Sequence, residues 1–211
     1  MHRFWQVSCF LILKLLLIQP ILAQSTLNES NPIEIAELTL EEQTDLKQGE
    51  VILQGEKGQY VGQVITQGNR EKAWEVLTDY DNFANFLPNI ASSKIIQANE
   101  KVKIFEQINI VDLLILEKQF TVKIEATETY PQLVNFKLVE GDLGRLEGTW
   151  EINKLPNDQV LIVHRVNVAP QSEKGDAFFF GIYESSLEET IRAIAKEISD
   201  RSTQTATNQN R

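Results

Sequence analysis

Between residues 94 and 169 the chain reads as one strand after another, and a single long amphipathic helix follows. In the stretch 118–128, Phe120, Val122, Ile124 and Ala126 alternate with Thr121, Lys123 and Glu125, the period of a strand with one buried face. Val134, Phe136 and Leu138 share a face in the next stretch, as do Leu146, Gly148, Trp150 and Ile152 in the one after. Turn residues separate these runs at Tyr130-Pro131, at Gly-Asp-Leu-Gly (141–144) and at Pro-Asn-Asp (156–158). Short links between consecutive strands imply an antiparallel meander with one packed face and one wet face. From about Asp176 to Asp200, Tyr183, Leu187, Ile191, Ile194 and Ile198 form one apolar stripe. At the rise of a helix that stripe is roughly 25 Å long. Its only large apolar partner is the concave face of the sheet.

Ahead of the meander, residues 51–67 read as a hairpin turning at Glu56-Lys57-Gly58. Asn69 offers an N-cap for a helix in which Ala73, Leu77 and Tyr80 share a face with Trp74 beside them. A second short helix follows in DNFANFL and stops at Pro88. The expected fold is α+β: a curved antiparallel β-sheet gripping one long C-terminal helix, with two short helices after the first strands.

The 211 residues hold 42% apolar and 24% charged side chains, ordinary for a globular domain with a real core. The formal charge of −10, with no basic run against it, excludes a nucleic-acid partner and a polybasic membrane patch. The first 23 residues have a short basic start, an apolar run and Ala23 before Gln24, the pattern of an export signal. Lys14 interrupts the run, which counts against the alternative of an uncleaved membrane anchor. The expected location is the periplasm or an equivalent non-cytoplasmic compartment. The single cysteine, Cys9, leaves with such a signal, so the mature domain has no disulfide. Residues 24–48 read as a polar, partly disordered arm with a short helix in ELTLEEQTDLKQGE, 49–202 as the folded domain, and 203–211 as a disordered polar tail.

Two stretches, AWEVLTDYDNFANFLPNI (73–90) and LVEGDLGRLEGTWEI (138–152), strongly resemble the START-like superfamily, also called helix-grip or birch-allergen-like. The nearest branch is the coenzyme-Q-binding and polyketide-cyclase/dehydrase and lipid-transport group, over about residues 50–200. That resemblance implies a hydrophobic cavity between the sheet and the long helix, and a protein that binds or carries a quinone, lipid, sterol or polyketide. Many such proteins have no catalytic activity.

The expected ligand contacts are Phe83, Phe86, Leu87, Phe136, Leu138, Glu140, Leu146, Trp150, His164, Phe179 and Tyr183. His164, the only histidine after the leader, reads as a satisfied strand residue or as an inward polar contact. Glu140 continues the Val134–Phe136–Leu138 face, with Arg145 across the turn as its expected partner. Tyr80 is assigned to the core. Leu113, Leu114, Ile115 and Leu116 are apolar where a hairpin turn is ordinarily polar; they are either packed or offered for transient contact with a membrane or partner. No GxSxG, HExxH, Cys/His cluster or Gly-rich phosphate loop occurs, so no cofactor and no metal is expected. The leading reading is an exported, non-enzymatic binder of an apolar small molecule. The rivals are an interaction module whose cavity is filled by its own side chains, and an aromatase/cyclase- or dehydratase-like enzyme using His164 or Glu140.

Overall fold

The computed structural model describes residues 38–113, 116–172 and 176–209, with the side chains of 112–117, 176 and 206–209 excepted. Eight strands form one antiparallel sheet: β1 (Ile52–Glu56), β2 (Gln59–Gln67), β3 (Ile90–Ala98), β4 (Val102–Leu113), β5 (Leu116–Thr129), β6 (Leu133–Gly141), β7 (Leu143–Leu155) and β8 (Gln159–Pro170). Their order is β1-β2-β8-β7-β6-β5-β4-β3, so the meander closes back onto the opening hairpin through β8. The helices are α1 (Leu40–Lys47), α2 (Arg70–Leu77), α3 (Phe83–Phe86) and α4 (Asp176–Gln209), with a 3-10 turn at Tyr80–Asn82. The α+β grip expected from the residue pattern is the observed fold.

Local chemistry explains several of these boundaries. Lys57 and Gly58 carry consecutive positive φ angles of 53° and 89°, the twist a two-residue hairpin needs. Asn69 Oδ1 accepts the Lys72 N–H at 2.8 Å and starts α2. Thr39 and Glu42 exchange capping bonds at the head of α1. Pro88 stands just beyond α3, where no helix continues.

The inner face and α4 form the main core. Leu187, Ile191, Ile194 and Ile198 are all buried, so the helical stripe is seated as its spacing requires. Thr66 Oγ1 donates to the Ala195 carbonyl at 2.7 Å and ties α4 to β2. Gly62 lets the two approach: a Cβ there would stand 2.2 Å from Ile191 Cδ1. A second cluster lies on the outer face, where Leu38 and Leu46 pack with Ile52, Leu161 and Val163. β8 is therefore buried on both faces, and the end of the arm belongs to the folded body.

At the other end, α4 continues to Gln209 through residues expected to form a disordered tail. Its hydroxyls sustain the helix: Ser202 Oγ and Thr205 Oγ1 each donate to the carbonyl four residues back. Arg201 then clamps this segment to the domain. It pairs with Asp79 and Glu197, each at 2.8 Å, and its guanidinium stands 5.4 Å from the centre of the Phe86 ring. Residues 1–37 and the side chains of Leu113 to Leu116 lie outside what is described, and with them the expected export signal and the expected apolar hairpin tip.

Candidate functional site

The curved sheet, α3 and the underside of α4 enclose a cavity of about 620 Å³. Each element contributes through its own period. Alternate residues of β5, namely Phe120, Val122, Ile124 and Ala126, face inward, opposite Phe105, Gln107 and Asn109 of β4. α4 adds Phe179, Tyr183, Leu187 and Ile194 at helical spacing. Leu77 and Tyr80 close the inner end together with Phe83, and Leu87 and Pro88 form the adjoining wall.

Of the residues expected from sequence, Phe83, Leu87, Phe136, Leu146, Trp150, His164, Phe179 and Tyr183 line the cavity. Three do not. Phe86 packs beneath Arg201 at the edge of the core, held there by the cation–π contact. Leu138 packs against the core cluster without reaching the cavity wall. Glu140 is turned out of the domain altogether. A β-bulge places Leu138 opposite Ile124 but Glu140 opposite Lys123, so Val139 is the extra residue and the face switches there. The Glu140 carboxylate pairs with Lys123 Nζ at 2.8 Å, not with Arg145. Tyr80 is core, as its spacing requires, but it also lines the cavity and stacks on Phe105 at 4.5 Å.

His164 is held by its neighbours. Trp150, its partner across β7–β8, stacks on it with centroids 3.7 Å apart, and Phe136 stacks at 5.5 Å. Nδ1 donates to the Thr149 carbonyl at 3.0 Å, since a carbonyl can only accept. That leaves Nε2 as the unprotonated nitrogen of a neutral ring. Burial pushes the ring down to about 3 from its ordinary 6.5, opposed in part by the Thr149 bond. Such a ring takes up a proton poorly and makes a weak general base. The unfolded chain binds that proton more readily, so the stability contributed by the neutral ring is complete above about pH 6.5 and is lost as pH falls toward 3. NMR of the imidazole should find it neutral down to about pH 4. A midpoint near 6.5 would contradict the buried placement.

The three phenylalanines that open α4 divide as a helix must divide them. Phe179 lines the cavity and stacks on Tyr183 at 6.0 Å. Phe180 lies over the β1–β2 turn, 2.9 Å from where a Gly58 Cβ would be. Phe178 stays 63% exposed at the cavity rim. Burial raises the Tyr183 hydroxyl above its usual range, with Tyr60 as the lesser cause. Among the described lining residues the charged ones are Lys118 and Asp142. Lys118 Nζ stands 4.8 Å from the centre of the Phe120 ring, and the Asp142 carboxylate accepts the Thr121 N–H at 2.8 Å.

The β4 and β5 contributions escaped the sequence reading. Phe120, Val122 and Ile124 were visible as an inward face, but only the strand order places that face on the cavity. Gln107 and Asn109 carried no apolar signal at all.

The family model for polyketide cyclase / dehydrase and lipid transport matches residues 69–195. No curated protein sequence matches the chain. Among solved structures, the STAR-related lipid transfer protein from Xanthomonas axonopodis has a TM-score of 0.57 at 14% identity, covering 70% of this chain and 92% of that one. The Zhui aromatase/cyclase from Streptomyces sp. R1128 has a TM-score of 0.55 at 14% identity, covering 69% and 93%. A START superfamily protein from Mycobacterium smegmatis has a TM-score of 0.55 at 14% identity, covering 69% and 97%. Identity this low carries the fold alone, whereas the family model spans more than half of the sequence. The chain belongs to the polyketide cyclase / dehydrase and lipid transport family and has the START-like fold that its motifs resemble.

Proposed function

We propose that the protein is an exported, non-enzymatic carrier of an apolar small molecule, such as a quinone, isoprenoid or lipid. The observation that carries this reading is the cavity of about 620 Å³ with walls of Phe, Leu, Ile, Val, Tyr and Trp. That volume lies within the ordinary range for small-molecule sites. Burying apolar ligand surface there supplies affinity at ~25 cal/mol/Å². The lipid transfer protein among its structural neighbours is consistent with transport. Exposed Phe178 at the rim and the apolar residues Leu113 to Leu116 would make brief contact with a membrane while the molecule is exchanged. The leader of 23 residues would deliver the protein outside the cytoplasm, leaving a mature chain that begins at Gln24.

The rival enzymatic reading rests on His164 in the cavity wall and on the aromatase/cyclase among the neighbours. The low proton affinity of that ring argues for a binding role. Titration of the protein with N-phenyl-1-naphthylamine, an uncharged apolar fluorophore, tests the carrier reading. Saturable binding that quenches the tryptophans, Trp150 among them, is expected. Absence of binding would contradict it. A His164→Phe protein should still bind the fluorophore, because a carrier needs no proton transfer from that ring.

A further inference from the structure

The wall built by β4 contains a feature that an apolar container does not need. Phe105, Gln107, Asn109 and Val111 line the cavity at alternate positions, so two of the four are amides. Gln107 is 8% exposed, and among the described residues no protein group hydrogen-bonds its side chain. Ser93, its partner across β3–β4, is equally buried, and its Oγ also has no protein partner. Asn109 has no side-chain partner either among the described residues. The Gln107 amide faces the cavity, so a wholly apolar occupant would leave it unpaired and dry, a cost that an occupant bearing an oxygen function avoids. Of the other buried polar groups of the inner face, Thr66 pairs with Ala195 and His164 with Thr149, while the Tyr60 and Tyr80 hydroxyls lack a hydrogen-bond partner; neither hydroxyl carries the separate acceptor and donor groups of an amide. Gln63 Oε1 also lacks a partner, but Gln63 pairs with Ile52 and Val163 of the outer cluster and is not part of the cavity.

We infer that Gln107, assisted by Asn109, is the specificity-determining contact of the cavity and accepts an uncharged oxygen function, a carbonyl or a hydroxyl, on an otherwise apolar molecule. This rests on the carrier reading and adds to it a chemical class. A primary amide both donates and accepts, so either oxygen function satisfies it. A carboxylate or phosphate would need a cation beside it, and the cation among the described lining residues is Lys118, at the hairpin end. At a strand rise of ~3.4 Å per residue, Gln107 lies about 14 Å along β4 from Val111. The bound molecule would therefore bring its oxygen well past the rim, leading with the polar end.

Three probes of nearly one outline test this by equilibrium dialysis with the full chain: 1-acetonaphthone, 1-isopropylnaphthalene and 1-naphthoate. The ketone should bind about tenfold more tightly than the hydrocarbon, the worth of roughly one hydrogen bond. The carboxylate should bind least. Gln107→Leu and the closer-volume Gln107→Met should each abolish the ketone's advantage and keep the hydrocarbon's affinity. A ketone-to-hydrocarbon ratio unchanged in both variants would overturn the assignment while leaving the carrier reading intact. Carboxylate bound as tightly as ketone would overturn it equally. Failure of the parent to bind ketone or hydrocarbon would overturn the carrier reading and the anchor with it.

Discussion

Replacing Ile191 with alanine is expected to destabilise the protein by about 4 kcal/mol, within the range measured for buried Ile→Ala changes. Ile191 is fully buried, and it fills the gap between α4 and β2 that Gly62 leaves open. It does not line the cavity, so the loss is one of grip and not of ligand contact. For a domain of this size the melting temperature should fall by about 10 °C, at 2–4 °C per kcal/mol. Gly62→Ala alone should also destabilise, because the new methyl would stand 2.2 Å from Ile191 Cδ1. In the Ile191→Ala background the same methyl enters vacated space, so its cost should shrink or reverse. Denaturant unfolding of the four proteins closes this cycle. Strictly additive effects would contradict the direct contact between helix and strand.

Val122→Trp is the second large effect, and it separates an open cavity from a filled one. Val122 is 3% exposed yet faces the cavity from the centre of β5, opposite Gln107. In a close-packed core a change of that size forces side chains off their rotamers and costs ~1–3 kcal/mol or more. In an open cavity the indole occupies space that ligand would use. The variant should therefore melt within a few degrees of the parent and lose at least about a hundredfold in affinity for N-phenyl-1-naphthylamine, since steric exclusion removes most of the buried apolar area. Severe destabilisation would support the rival in which the domain's own side chains fill the space.

Much of this architecture was legible because periodicity is a local property. Val134 and Phe136 face inward as their alternation requires, and Leu187, Ile191, Ile194 and Ile198 are buried as theirs requires. Glu140 was misplaced for a physical reason. Alternation extrapolates a face only while the ladder is regular, and the bulge at Val139 reverses it one residue before Glu140. Phe86 was misplaced because a contact with Arg201, remote in sequence, decides which way its ring is used. The outer cluster was hidden as well. Leu38 and Leu46 stand isolated among polar residues, and only the fold brings them onto Leu161 and Val163. Gln107 shows the same limit at the site itself: its chemistry lies in facing the cavity without a protein partner, which no linear pattern displays.

The most direct test of the central claim is native mass spectrometry of the protein recovered, without detergent, from the cells that make it. The account predicts a mature chain beginning at Gln24 that carries one molecule of an uncharged, oxygen-bearing apolar compound, released on unfolding and absent from the Val122→Trp variant. Protein that is uniformly empty, and that also fails to take up such a compound when it is supplied, would contradict it.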